Sequence, residues 1–231
     1  MDLAIVIPVY NEEENIQHLI EDFYKVLVEA HIDYTFFIIN DGSTDGSLHK
    51  LELLSKNIPN LQLLNQENSG HGPALLKGYQ CALNHKWIFQ FDSDYQYTLS
   101  AFTEIWSKRE NYDLLIAERE TRSASFARYS ITVVLKLITL LLYGKGLQDI
   151  NVPYRLMRAE VLKLILKNIH PYSFAPNTLI TAYCIKKKVR IFSAIAEVRQ
   201  GGYIKQSKLS AAIFKGCIQS ILDLMTFRFK I

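Results

Sequence analysis

The sequence predicts an α/β fold, a mostly parallel sheet flanked by helices, and three observations carry that prediction. Short runs rich in β-branched and aromatic residues recur at 3–9, 34–39, 61–64, 86–91 and 112–117, the pattern of strands buried on both faces. Helical patterns lie between them, and strands alternating with helices give parallel sheets joined by right-handed crossovers. The chain of 231 residues is 49% hydrophobic, enough for a sizeable core in one compact domain.

The first strand is LAIVIPV. Behind it, Glu12-Glu13-Glu14 precede Ile16, Leu19, Ile20, Phe23, Val26, Leu27 and Ala30, whose spacing predicts an amphipathic helix with carboxylates at its positive end. The second strand, YTFFII, leads into NDGSTDGS, a string of turn formers in which Asp45 is placed to cap the next helix. LQLL, the third, precedes the glycine-rich NSGHGPALLKG, and the fourth, KWIFQF, ends in Asp92-Ser93-Asp94. After the fifth, YDLLIA, comes AERETRSASFARY and then an apolar run from Tyr129 to Gly144. From about Asp149 the alternation loosens into a strand-like VPYRLMR, a helix near 159–167, a helix at 177–186 and a strand at 189–198. No internal repeat or low-complexity linker interrupts this order. Ligands in open α/β sheets sit beyond the carboxyl ends of the strands, so PVYNEE, NDGSTDGS and DSDYQY share one rim.

The net charge of +3 is a property of the tail. From Tyr203 to Ile231, Lys205, Lys208, Lys215, Arg228 and Lys230 stand against Asp223, giving +4 there and −1 elsewhere. Phe214, Ile218, Ile221, Leu222, Met225 and Phe229 follow helical spacing, with Lys215, Gln219, Asp223 and Lys230 on the other side, so 206–231 reads as a basic amphipathic helix. This stripe and the Tyr129–Tyr143 run predict attachment to a membrane surface, with packing against the core or a second subunit as the competing reading. Neither run reaches the roughly 20 apolar residues that a spanning helix needs. Lys186–Arg190 is too short, and lacks the aromatic residues, for a nucleic-acid groove.

Cys81, Cys184 and Cys217 are odd in number and lack metal-type spacing, which predicts reduced packing residues in a cytoplasmic setting. MDLAIVIPVY has neither a basic leader nor a cleavage site, so no signal peptide is expected. His71 and His170 have no histidine partner at ligand spacing and read as ordinary surface or core residues.

Two aspartates one residue apart at a strand's end converge only if the chain turns. Crowded carboxylates raise one pKa unless a cation lies between them, and a hard divalent ion with oxygen ligands, typically shared with substrate phosphates, supplies it. On these residues alone, an acidic turn ahead of a helix starting near Ser100 stays open.

Taken in order, IVIPVYNEEENI, IINDGSTDGS, NSGHGPALLKGYQCA and FDSDYQY resemble the motifs of family 2 glycosyltransferases of GT-A fold, and over residues 3–205 the chain is similar to the dolichyl- and polyprenyl-phosphate glycosyltransferases. The resemblance implies a glycosyltransferase domain over 1–205, with a nucleotide-sugar half at 1–118 and an acceptor half at 119–205. It implies that Pro8, Tyr10 and Glu12 line the base and ribose, that Asp41 reads the base, and that Gly70, Gly72 and Gly78 admit the diphosphate, with Asn68 fixing the loop. Asn40 stands where the family has a first acid, which leaves a UDP- or a GDP-sugar donor open. Asp92, Ser93 and Asp94 match the D-x-D segment, with Gln96 as a third metal-side ligand for Mg²⁺ or Mn²⁺.

On the acceptor side the resemblance implies Asp149 as a base or orienting group beside a polyprenyl phosphate, while pairing of Asp149 with Arg155 or Arg158 is the bland alternative. Asn151, Val152 and Pro153 depart from the family's small polar loop there. Arg119, Arg122 and Arg128 fit a clamp on the acceptor phosphate, since arginine forks match phosphate oxygens; a solvated loop with Glu118 and Glu120 competes. The Q-x-x-R-W segment of processive synthases is absent, which favours one sugar on one lipid. The implied reaction is a metal-dependent, inverting transfer on the cytosolic face of a membrane, with an integral membrane partner or a homodimer left open and no nucleic acid involved. A hydroxyl acceptor, an aspartate-based phosphohydrolase and an inactive binding module are the readings that compete.

Overall fold

The computed structural model describes residues 2–119, 137–144, 150–199 and 211–231. In chain order its strands are β1 (Leu3–Val9), β2 (Tyr34–Asp41), β3 (Leu61–Gln66), β4 (Trp87–Gln90), β5 (Leu114–Arg119), β6 (Arg155–Arg158) and β7 (Ile191–Ala196). The helices are α1 (Ile16–Glu29), α2 (Ser47–Asn57), α3 (His71–Ala82), α4 (Ser100–Lys108), α5 (residues 137–143), α6 (Ala159–Leu166), α7 (Pro176–Lys186) and α8 (Ala211–Lys230), with a short 3₁₀ turn at Arg109–Asn111. The Arg122 and Arg128 positions, Asp149, the first half of the Tyr129–Gly144 run, Lys205 and Lys208 lie outside the described residues, as does the side chain of Arg119.

One sheet holds all seven strands in the order β3-β2-β1-β4-β6-β5-β7. β1 pairs in parallel with β2 and β4, β2 with β3, and β5 with β7, whereas β6 runs antiparallel to both β4 and β5. Every residue of β1 and β2 is buried, as expected of central strands covered on both faces. α1 docks through Ile16, Leu19, Ile20, Phe23 and Leu27. Phe23 meets Phe36, Phe89, Phe91 and Phe102 edge-on at centroid separations of 5.2 to 6.3 Å, so a single ring ties α1 to β2, β4 and α4.

The acidic run does not enter α1. Glu12, Glu13 and Glu14 fall in the turn before it, where the Glu13 carboxylate accepts the Gly46 N–H at 2.9 Å and so ties the β1 and β2 loops together. Asp45 accepts the Ser47 N–H at 2.9 Å from one residue ahead of the α2 N-cap. Cys184 is buried, but Cys81 is exposed and Cys217 half-buried, so only the first packs in the way the composition predicts.

α8 docks by a different face from the one its apolar stripe marks. Gly216, Ser220, Leu224 and Phe227 are buried, while Ile218, Leu222, Met225 and Phe229 remain exposed, Phe229 at 90%. α5 lies beside it: the Tyr143 hydroxyl donates to the Leu224 carbonyl, and Arg228 Nε donates to the Leu142 carbonyl at 2.7 Å. Leu137, Leu140 and Leu141 of α5 are exposed as well. Among the described residues no helix is long and apolar enough to cross a membrane.

Candidate active site

The loops that follow β1, β2, β3 and β4 converge at the carboxyl edge of the sheet and enclose a cavity of about 420 Å³, within the usual range for small-ligand sites. Pro8, Tyr10 and Glu12 line it from the end of β1, Asp41 from the end of β2, Asn68, Gly70 and His71 from the start of α3, and Asp92, Ser93 and Asp94 from the turn after β4. Nine of the residues expected on the donor side therefore line one cavity. Gly72, Gly78 and Gln96 are not part of the lining.

Those three residues serve the site indirectly. A Cβ on Gly72 would lie 2.0 Å from the Ser173 carbonyl oxygen, and one on Gly78 would lie 2.4 Å from Val6 Cγ1. The two glycines thus let α3 pack against the 173–174 loop and the sheet. Of these loop glycines Gly70 has the backbone that favours glycine, with φ 92°, and it turns the chain into α3. The Gln96 N–H donates to Asp94 Oδ1 at 3.3 Å.

Asp41 is 3% exposed and organises the loop ahead of α3. Its Oδ1 accepts Gln66 Nε2 at 2.7 Å, the Ser69 N–H at 2.9 Å and the Ser69 hydroxyl at 3.1 Å, and its Oδ2 accepts the Gly70 N–H at 2.9 Å. The amides of a helix's first turn have no intrahelical acceptor and favour anions. Here that end of α3 opens on the cavity.

Asp92 is held by a relay of buried amides that the motifs do not reveal. Tyr79 donates its hydroxyl to Asn177 Oδ1 at 2.9 Å, Asn177 Nδ2 donates to Gln90 Oε1 at 2.9 Å, and Gln90 Nε2 donates to Asp92 Oδ1 at 2.9 Å. Burial pushes the Tyr79 phenol up, which keeps it a proton donor. Arg155, fully buried in β6, donates from Nε to the Val152 carbonyl at 2.7 Å and from a terminal nitrogen to the Asn177 carbonyl at 3.2 Å, fixing the start of α7. The available signal was a glutamine inside the apolar run KWIFQF and an asparagine in a helix buried nearly all round, since buried amides need partners. Arg158 pairs with Asp113 at 3.1 Å.

His71 is the other residue missed. Its Nε2 lies 3.2 Å from Asp92 Oδ1. Desolvation pulls its pKa down, but Asp92, and beyond it Asp94 and Asp41, outweigh that and raise it overall.

Among the described residues no three histidine, cysteine or acidic side chains form a closed metal cage. Two aspartates on one turn, beside a helix start suited to anions, instead fit a hard divalent cation that completes its shell with phosphate oxygens and water. Gln90 and His71 both bond to the Oδ1 of Asp92, and neither engages its second oxygen.

A mixed sheet of this strand order, with a cavity beyond the carboxyl ends of β1–β4, is the architecture of the GT-A fold. Glucosyl-3-phosphoglycerate synthase from Mycobacterium tuberculosis, solved with Mn²⁺, uridine-diphosphate-glucose and phosphoglyceric acid, superposes with a TM-score of 0.67 at 16% identity, covering 99% of this chain and 80% of that one. Staphylococcus aureus TarS in complex with UDP-GlcNAc gives 0.62 at 18% identity, covering 97% and 66%. Residues 4–166 match the glycosyl transferase family 2 profile, and the chain belongs to that family. CsbB of Bacillus subtilis, named as a glycosyltransferase, is 28% identical over 167 residues, 71% of this chain, which spans only 50% of CsbB. The undecaprenyl-phosphate 4-deoxy-4-formamido-L-arabinose transferase of Proteus mirabilis is 25% identical over 227 residues, 97% of this chain and 67% of that protein.

Proposed function

We propose that the protein transfers one sugar from a nucleoside-diphosphate sugar to a polyprenyl phosphate at a membrane surface. The observation that carries the reading is the convergence of Asp41, the start of α3 and the Asp92–Asp94 turn on one cavity, which suits a base, a diphosphate and a cation in that order. Pro8, Tyr10 and Glu12 hold the nucleoside, and Asp92 with Asp94 holds Mg²⁺ or Mn²⁺. When bound, the cation neutralises the departing diphosphate. The acceptor phosphate is already ionised near neutral pH, so it attacks the anomeric carbon without a strong base, and Asp149 orients it. Arg119, at the end of β5, acts with Arg122 and Arg128 to clamp that phosphate.

A uridine donor is favoured over a guanosine one. Each carboxylate oxygen offers about two lone-pair positions; Asp41 already accepts three hydrogen bonds on Oδ1, which fill it, and one on Oδ2. One position is left, which suits the single N3–H of uracil better than the two adjacent donors of guanine. Thermal unfolding with Mn²⁺ and each diphosphate checks this, since a ligand of the folded state raises its stability: UDP is expected to raise the Tm more than GDP.

The lipid acceptor is supported by the surface. Leu137, Leu140 and Leu141 on α5 and Ile218, Leu222, Met225 and Phe229 on α8 leave large apolar groups in water on two adjoining helices, as an interfacial surface does. Lys215, Arg228 and Lys230 on α8 add attraction to anionic lipid, about 1 kcal/mol for each basic residue near the surface. The assay is label transfer from a panel of radiolabelled sugar nucleotides with Mn²⁺, undecaprenyl phosphate in detergent and, in parallel, soluble hydroxyl acceptors. Label is expected in the organic phase only when the lipid phosphate is present; transfer to soluble acceptors alone would overturn the lipid reading.

A further inference from the structure

The turn that carries Asp94 is fixed from its far side by residues that do not line the cavity. Tyr95 has φ 54°, a left-handed backbone that costs a side chain other than glycine about 1–2 kcal/mol. Such a conformation persists where surrounding contacts over-determine it, and here they come from two distant segments. The Tyr95 hydroxyl donates to Asp22 Oδ2 on α1. A terminal nitrogen of Arg199 donates to the same oxygen at 3.0 Å, and the Arg199 guanidinium lies 3.7 Å from the centre of the Tyr95 ring. Lys25 stands 3.9 Å from the other oxygen of Asp22.

The backbone repeats the arrangement. The Arg199 N–H donates to the Gln96 carbonyl at 2.9 Å, the Thr98 N–H donates to the Glu197 carbonyl at 3.0 Å, and Tyr97 and Val198 form an isolated antiparallel bridge. Glycine at position 95 would adopt the same turn without strain. A tyrosine whose ring and hydroxyl are both engaged instead makes the shape of the turn depend on α1 and on the chain leaving β7.

We propose that Asp22, Tyr95 and Arg199 form a clamp that positions Asp94 for the metal-bound diphosphate, so that the three residues set the affinity of the D-x-D turn for its cation. They are positioning residues: they act through the backbone of the turn and touch neither donor nor acceptor. The inference rests on the reading of Asp92 and Asp94 as the metal pair. Loosening the clamp leaves both carboxylates in place and widens the range of positions open to Asp94, so binding weakens without being abolished. Losing a residue that orients a metal ligand typically weakens metal binding by about tenfold or more.

The test is a Mn²⁺ titration followed by electron paramagnetic resonance, with uridine diphosphate and, in parallel, guanosine diphosphate, on the wild type, Asp94→Asn, Tyr95→Phe, Asp22→Asn and Arg199→Lys, each accompanied by thermal unfolding. Asp94→Asn is expected to lose Mn²⁺ binding, Tyr95→Phe and Asp22→Asn to raise the dissociation constant about tenfold, and Arg199→Lys, which keeps the charge beside Asp22, to fall between them and the wild type. Wild-type Mn²⁺ affinity in Tyr95→Phe and Asp22→Asn, together with a lowered Tm, would make the trio purely structural and overturn the clamp. Wild-type affinity in Asp94→Asn would remove the metal assignment, and the clamp with it. The two failures are distinguishable, and Asp22→Asn reads the clamp independently if Tyr95→Phe fails to fold.

Discussion

Asp92 and Asp94 stand one residue apart and are held in opposite ways. Asp92 is tied through Gln90 and Asn177 to Tyr79, three side chains that are each at most 2% exposed. Asp94 sits on a turn with a left-handed residue, held by the half-exposed Asp22 and Arg199. In a low-dielectric interior an unpaired amide costs more than it does at the surface, so the position of Asp92 is coupled to folding. The position of Asp94 is coupled to a few surface contacts. The cation proposed to bridge the two would thus have one ligand set by the stability of the core and one that can be loosened while the fold persists.

That difference can be broken or sharpened by substitution. The largest effect is expected from Asp94→Asn, which removes a carboxylate that the proposed mechanism sets beside the charge developing in the transition state: turnover of sugar nucleotide is expected to fall by about 100-fold or more, with a Tm near that of the wild type. Asn177→Leu attacks the other carboxylate from inside. It leaves the Gln90 carbonyl and the Tyr79 hydroxyl without their bonds to Asn177, at about 1–3 kcal/mol for each buried group. Scanning calorimetry is expected to show the Tm lowered by roughly 5–15 °C. Tyr95→Phe is expected to shift the Tm by only about 2–3 °C while weakening Mn²⁺ binding. If Asn177→Leu and Tyr95→Phe lower stability equally, the contrast between the two carboxylates fails.

The smallest effect belongs to Asp113, which lies at the amino end of β5, away from both carboxylates. The bond from Arg190 lowers its pKa, desolvation opposes, and Arg158 adds to the lowering. A folded-state pKa below the unfolded one contributes stability that is present at neutral pH and lost as pH falls through the carboxylate range. Asp113→Asn is therefore expected to flatten the stability profile below about pH 4, by no more than about 1 kcal/mol because the group is partly solvated. Denaturant unfolding at a series of pH values reads this, and Mn²⁺ affinity at neutral pH is expected to stay unchanged.

The cavity at the sheet's carboxyl edge was legible because its information is local. β1 and most of β2 are buried apolar runs, and residues that line the cavity stand at or soon after their ends. The direction of β6 was not legible, since a buried run such as RLMR reads the same whether it pairs in parallel or antiparallel. The stripe on α8 was seen correctly as apolar, yet it is the solvent face. Gly216 creates the docking face by admitting the Phe174 ring, with the buried Ser220 one turn on, a packing effect that hydropathy does not register. The supports of the two carboxylates were invisible for a related reason. Asn177 meets Gln90 across 87 residues, Tyr95 meets Asp22 across 73, and Arg199 reaches Asp22 across 177, distances over which only the tertiary fold brings partners together. His71 is not legible because no second histidine stands near it in sequence, whereas its partner in space is an aspartate of the D-x-D turn.

The most direct test of the site is a crystal structure with uridine diphosphate and Mn²⁺, using the anomalous signal of the metal. The diphosphate is expected at the start of α3, with an anomalous peak about 2.0–2.2 Å from an Asp94 carboxylate oxygen, as for small octahedral cations, and bonded to diphosphate oxygens. A nucleotide bound elsewhere, or one bound in this cavity with no anomalous peak beside Asp92 or Asp94, would contradict the account.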